Sequence, residues 1–306
     1  MKLASKSAAL LIATSLLGAA GAARAQPAPG PLVVHTIKAG KLYWVEGGGG
    51  NSGIVIGDAG VVVIDAKINA DAGRALVAEV AKLTPKPITH VIETHSDGDH
   101  VNGIAGFPAG VKIIAHVNNR NDQIVVPLLA VAEVDGGKCK PPQDRLPNLL
   151  VYKDKVSTTL DGERIELLHS GPAHTTGDLV VYLPAYKVVF AGDILTTNVL
   201  IHPEKNGSFD GWFRTANAML ALDASTYVPG HAKEPDTKAM LRQRIADMQA
   251  TRGKIDALVE QGKTLAEVKA AMSDPPKDTI GCRGVPYPSL TWIEYQDRTG
   301  RAAELK

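Results

Sequence analysis

His95-Ser96-Asp97-Gly98-Asp99-His100 places four groups able to bind a metal within six residues. The hexapeptide follows Ile88–Glu93, a β-branched run that reads as a strand. A tight loop with a central glycine can turn alternate side chains toward one point. Imidazole nitrogen and carboxylate oxygen both suit zinc, and also iron or manganese. Taken alone, the hexapeptide also fits a solvated polar loop that happens to hold two histidines.

Three later segments decide between these readings. Gly171-Pro-Ala-His174-Thr-Thr-Gly177-Asp178 sets a histidine in a glycine-flanked turn between strands. Val188-Val-Phe-Ala-Gly-Asp193 ends an apolar strand in Gly-Asp, and Tyr227-Val-Pro-Gly-His231 ends another in Pro-Gly-His. Each presents one ligand-capable side chain where a strand leaves the core, which is where a rigid scaffold displays reactive groups.

Together, the pattern HxDxDH, GPAHTTGD, VVFAGD and VPGH resembles the metallo-β-lactamase superfamily from about Asn51 to His231, the IDAK segment at Ile64 included. The resemblance implies an α+β fold, a four-layer αββα sandwich with two metals at one edge. It implies His95 and His174 as ligands of a first metal, and Asp99, His100 and His231 as ligands of a second. Asp193 matches the aspartate that bridges both. The implied cofactors are two divalent ions, zinc first, with iron or manganese as alternatives. The implied chemistry is attack by a metal-activated water on an ester, thioester, lactone or lactam carbonyl, with Asp99 also orienting the nucleophile.

Asp97 departs from the family, which usually has histidine there. Three carboxylates, Asp97, Asp99 and Asp193, would nearly neutralise two divalent ions, weaken them as Lewis acids and favour harder ions. On this reading Asp97→His restores the usual set and raises zinc occupancy. Flavodiiron proteins, which carry a glutamate at the same place, also resemble the pattern, so a di-iron oxidoreductase is a rival; no flavin domain follows His231. A β-lactamase proper is another, although dedicated β-lactamases usually carry Cys or Ser where Asp193 stands. A non-catalytic metal-binding protein is a third.

The remaining histidines divide. His35, His90 and His116 have no ligand-like companions and read as structural. His169 sits beside the His174 turn as a candidate supporting residue. His202, in IHPEKNGS nine residues after Asp193, is a candidate substrate contact at the site mouth. Trp212 heads an amphipathic helix and reads as core. Gly47-Gly-Gly-Gly50 reads either as a loose turn or as a flap over the metals.

Around these motifs the chain alternates. Strands are expected at Leu42–Val45, Gly53–Ile56, Val61–Asp65, Val111–Ala115, Arg164–Leu168, Leu179–Leu183 and Val188–Ala191. Helices are expected at Asp71–Leu83, Phe209–Leu222 and Asp236 to Glu260, and after the capping box Thr264-Leu-Ala-Glu267. Two such halves fit a sandwich of mixed sheets with helices outside.

Lys2 and Lys6, the apolar run Ala8 to Ala20 and the small-x-small site Ala23-Arg24-Ala25 read as a secretory signal peptide over residues 1–25. Residues 26–306 then form one hydrolase domain with a C-terminal helical extension, periplasmic or secreted. Without Lys2, Lys6 and Arg24 the 33 basic residues become 30 against 32 acidic, a net of −2. That balance gives no general attraction to nucleic acid or to an anionic membrane; the expected partner is a small-molecule substrate. In an exported chain the two cysteines, Cys139 and Cys282, are candidates for one disulfide.

Overall fold

The computed structural model describes residues 31–134, 145–274, 279–280 and 286–300. The expected signal peptide and both cysteines lie outside these residues.

One sheet runs in chain order: β1 (Val33–Lys38), β2 (Leu42–Glu46), β3 (Ser52–Ile56), β4 (Val61–Ile64), β5 (Ile88–Ile92), β6 (Lys112–His116) and β7 (Leu149–Val151). Its first four strands form an antiparallel meander, and β4 to β7 pair in parallel. Helix α1 (Ala70–Leu83) makes the crossover from β4 to β5, with Asn69 accepting from the Ala72 amide as its N-cap. The short α2 (Gly98–Val101) and α3 (Val117–Val134) flank β6.

The second sheet collects β8 (Lys155–Leu160), β9 (Glu163–Leu168), β10 (Val180–Leu183), β11 (Val188–Phe190), β12 (Thr226–Val228) and β13 (Asp236–Thr237). Helices α4 (Phe209–Ala221) and α5 (Lys238–Glu260) cover its outer face, followed by α6 (Leu265–Ala271) and α7 (Leu290–Thr299).

The period-two rule sorts the core into layers. In β4, Val62 and Ile64 face the second sheet and meet Val181, Leu183, Val188 and Phe190. Their neighbours Val61 and Val63 face the other way, onto Leu76 and Val80 of α1. In the second sheet Val189 and Tyr227 turn outward to Phe209, Trp212, Leu241 and Ile245. The result is the expected four-layer αββα sandwich. Among the described residues no helix is long and apolar enough to cross a membrane.

Several elements were not expected from sequence. β1 and β8 are largely exposed strands of mixed polarity, so neither carries a strong apolar alternation. α3 opens on Asn-Asn-Arg-Asn-Asp, poor helix formers. α7 is short, and Ser289 caps it by accepting from the Trp292 amide.

Trp212 is fully buried, and its Nε1 donates to the Ile194 carbonyl at 2.9 Å, next to Asp193. It therefore joins the outer helical layer to the loop that carries a site residue. Trp212→Ala is expected to cost about 3–5 kcal/mol of stability. Urea unfolding would measure this, and a loss within the noise would show that the layer does not depend on the indole.

Candidate metal centre

All seven residues proposed as ligands come together at one edge of the sandwich, in two sets. One set contains His95, Asp97, His174 and Asp193, and the other Asp99, His100 and His231. The strand ends aim them. His95 follows β5, Asp193 follows β11 and His231 follows β12.

Local backbone bonds hold these loops. The Asp178 carboxylate accepts from the Ala173 and Thr175 amides at 3.0 Å and so shapes the turn carrying His174. His169 stacks on His116 with ring centroids 3.8 Å apart and donates from Nδ1 to the Asp178 carbonyl at 2.8 Å. His169 thus supports the turn from behind. His35 stacks on Trp44, and His90 lies beside Asp161, both away from the metal centre.

Gly230 donates to the Gly192 and Leu195 carbonyls, and a Cβ on it would stand 1.9 Å from Asp193 Oδ1. Only glycine lets the His231 loop approach Asp193 so closely. The Gly47–Gly50 turn is tied down rather than loose or raised as a flap. Gly47, Gly48 and Gly49 all have positive φ, and the Gly50 amide donates to the Asp99 carbonyl at 3.1 Å. The Gly50 carbonyl accepts from Lys67 Nζ at 2.8 Å, and a Cβ on Gly50 would strike the His100 ring. The turn is a floor under His100. Burial there pushes the Lys67 ammonium down to about 7, against the pull of Asp65, Asp99 and Glu46.

The donor atoms fit metal ions. Around the first set the contacts are His95 Nε2 to Asp97 Oδ2 3.7 Å, His95 Nε2 to Asp193 Oδ2 3.9 Å, His174 Nε2 to Asp97 Oδ2 3.1 Å and His174 Nε2 to Asp193 Oδ2 3.8 Å. Tetrahedral ligands about 2.1 Å from an ion stand about 3.4 Å from one another. Around the second set, His231 Nε2 lies 2.9 Å from Asp99 Oδ2, 3.3 Å from His100 Nε2 and 3.4 Å from Asp193 Oδ2. Asp193 turns Oδ1 toward His100 Nε2 at 3.2 Å, and its Oδ2 lies between the first set and His231, so the carboxylate stands against both sets. Asp97, despite its shorter arm, reaches the position its motif implies.

Two buried atoms at the centre, His95 Nε2 and Asp193 Oδ1, have no hydrogen-bond partner. Buried polar atoms left unpaired are costly, and a cation would satisfy both. The other ring nitrogens are already committed. His100 Nδ1 donates to Asp65 Oδ2 at 2.8 Å, and His174 Nδ1 donates to the Leu200 carbonyl at 2.9 Å. Thr94 Oγ1 donates to Asp65 Oδ2 and accepts from His95 Nδ1 at 2.9 Å. In all three rings Nε2 is the atom left facing the centre.

Electrostatics agree. Burial resists charge on Asp193, yet His100, His95 and His231 hold its carboxyl far below the ordinary carboxylate range. Burial likewise opposes charge on His100, but Asp193, Asp65 and Asp99 raise it well above the usual imidazole value. His174 and His231 are raised too, against burial, by Asp97 and by Asp99 respectively. Binding a cation must release these protons, so metal affinity weakens as pH falls.

Sequence reasoning named neither Asp65 nor Lys205. Asp65 lies in the IDAK segment, where its strand-end position was the available signal. Lys205 is buried, and its ammonium contacts Asp97 Oδ1 and lies 3.2 Å from Ser96 Oγ. His202, expected at the mouth, instead points Nε2 at Asp97 Oδ2 from 3.2 Å, with its ring edge-on to His174. Both residues ride on a segment strapped to the His174 turn, through His202 N to the His174 carbonyl at 2.8 Å and Ser208 N to the Ala173 carbonyl at 3.0 Å.

Residues 45–231 match the family model of the metallo-beta-lactamase superfamily, and the chain belongs to that superfamily. It is 25% identical over 195 residues to the alpha subunit of a 2,4-dinitroanisole O-demethylase from Nocardioides sp. (strain JS1661), an overlap of 63% of this chain and 55% of that one. It is 30% identical over 188 residues to an (R)-specific secondary-alkylsulfatase from Pseudomonas sp., covering 50% of this chain and 28% of that one. The chain therefore spans about half or less of the length of these relatives. The solved structure of a stereoselective inverting sec-alkylsulfatase from Pseudomonas sp. shares the fold, with a TM-score of 0.68 at 24% identity over 87% of this chain and 50% of that one.

Asp65→Asn is expected to weaken metal binding roughly tenfold to a hundredfold, because it removes the charge and one of the two acceptor oxygens that hold Thr94 and His100. Asp193→Ala is expected to be more severe and to lower occupancy of both sites. Elemental analysis after dialysis against a fixed zinc concentration would rank the two. Full metal content in Asp193→Ala would remove the bridge from the account.

Proposed function

We infer that the protein is an exported metal-dependent hydrolase that cleaves an ester-type bond in a small molecule. The observation that carries the reading is the pair of donor sets joined by the two oxygens of Asp193. His95, Asp97, His174 and Asp193 would hold one divalent ion, and Asp99, His100, His231 and Asp193 another, each set of two imidazoles and two carboxylates suiting zinc, with iron or manganese as alternatives. Such ions supply Lewis acidity and bring the pKa of water toward neutrality.

The chain's own groups set the geometry of attack. His95, His100 and His174 are essentially inaccessible, whereas the side chains of His231 and Asp99 are 40% and 28% exposed. Substrate therefore approaches from the side of the second set. There the Asp99 carboxylate, held ionised by His100 and His231 in spite of burial, can accept a proton or orient the attacking water. His202 and Lys205 face Asp97 on the side of the first set.

Carbonyl esters, thioesters, lactones and lactams are the substrates this arrangement suits. A sulfate ester is a second reading, supported by the likeness to the secondary-alkylsulfatase. A panel of aryl acetate, thioester, lactone, penicillin and secondary alkyl sulfate would separate them. Turnover of at least one is expected to vanish with a chelator and return with zinc. No metal-dependent turnover of any member would overturn the hydrolase reading.

Export rests on Lys2, Lys6, the apolar run and Ala23-Arg24-Ala25. Mass spectrometry of periplasmic or secreted protein from the native host is expected to find a chain beginning at Gln26. Material retained in the cytosol with an intact Met1 would contradict it.

A further inference from the structure

The family position held by Asp97 usually carries a neutral imidazole, and an aspartate there adds one negative charge beside the metals. The structure supplies an answering charge. Lys205 is buried, its ammonium contacts Asp97 Oδ1, and it lies 3.2 Å from Ser96 Oγ. Asp97 Oδ2 points the other way, 3.1 Å from His174 Nε2 and 3.7 Å from His95 Nε2. His202 Nε2 stands 3.2 Å from the same oxygen and limits its rotation. The two oxygens thus divide their work: one faces the ligand set and the other faces the lysine.

We propose that Asp97 and Lys205 act as one neutral unit in place of a histidine, Asp97 offering Oδ2 to the first metal while Lys205 cancels the charge that the carboxylate brings. Lys205 is a positioning residue, since it reaches the metal only through Asp97. The proposal rests on the reading of His95, Asp97, His174 and Asp193 as a metal site. It changes the meaning of the motif. The carboxylate does not leave the site more negative than its histidine counterpart, and Asp97→His alone does not restore the usual set, because it keeps a buried ammonium beside a dication while removing the carboxylate between them.

Charge balance fixes the signs of a double-mutant test in a way that packing does not. Lys205→Met leaves an uncompensated carboxylate and should tighten zinc binding at the first site, by roughly tenfold to a hundredfold. Asp97→His removes the carboxylate and keeps the ammonium near the metal, and should weaken binding by a similar factor. The double variant Asp97→His/Lys205→Met is neutral again and should return to within a few-fold of the starting affinity. Lys205→Arg keeps the charge and should change little. A purely structural lysine predicts weaker binding in both single variants and weaker still in the double.

The measurement is zinc affinity and stoichiometry of the full mature chain, by competition with a chromophoric chelator, with circular dichroism to confirm folding. Weaker or unchanged zinc binding in folded Lys205→Met would overturn the proposal. If that variant does not fold, Asp97→His against the double variant carries the same test: the second change must strengthen the site that the first weakened. A starting protein that takes up one zinc, with stoichiometry indifferent to Asp97→Ala, would show instead that the first-site reading itself has failed.

Discussion

The structure turns on the confinement of Asp193, a buried carboxylate whose Oδ1 faces His100 and whose Oδ2 faces His95, His174 and His231. A buried carboxylate is stable only when answered by positive charge or donors. Most of the local architecture serves to bring that answer close. Gly230 has no side chain to collide with Asp193, and Gly192, at a positive φ, packs so close to Thr94 that a Cβ there would strike its side chain. Trp212 anchors the next carbonyl, that of Ile194.

The two sheets contribute unequally and meet at this residue. The first sheet delivers His95 to His100 from the end of β5, with Asp65 from the end of β4 holding His100 in place. The second sheet delivers His174, Asp193 and His231 from loops that follow β9, β11 and β12. Asn51 stitches the halves together: its amide donates to the Gly230 carbonyl at 2.7 Å, and its side chain donates to the Pro229 and Ala232 carbonyls at 2.9 Å. The centre is therefore a property of the packed sandwich. No single loop carries enough ligands for it.

What the sequence showed depended on how far apart the cooperating residues lie. His95 to His100 are legible because they are adjacent, and the Gly-Asp and Pro-Gly-His endings are legible because glycine marks where a strand must stop. The αββα layering is legible because Val61 to Ile64 and Val188 to Phe190 are apolar without interruption, as buried two-faced strands are. Lys205 carried no such mark. In the sequence it is one of 33 basic residues, in the IHPEKNGS stretch where only His202 stands out. The backbone straps from His202 and Ser208 to the His174 turn, with the Thr176 hydroxyl donating to the Lys205 carbonyl, bring it under Asp97. The glycine turn at Gly47 to Gly50 was misleading for a related reason: four glycines signal freedom, yet here they permit a close approach that hydrogen bonds then fix.

Asp97 shows why a motif read residue by residue can misstate the chemistry of a site. Taken alone, carboxylate for imidazole means one more negative charge and a harder donor. In the folded chain, burial works against ionisation of Asp97, yet Lys205, helped by His174, His202 and His95, holds it well below the ordinary range. Lys205 and the three imidazoles thus favour the ionised carboxylate, and under the proposed pairing Asp97 and Lys205 present their surroundings with a donor oxygen and no net charge. A hard oxygen remains, so the preference among metal ions can still differ from that of an all-imidazole set. The electrostatic field does not differ in the same proportion. The unit that substitutes for histidine at this position is two residues, 97 and 205, that only the fold brings together.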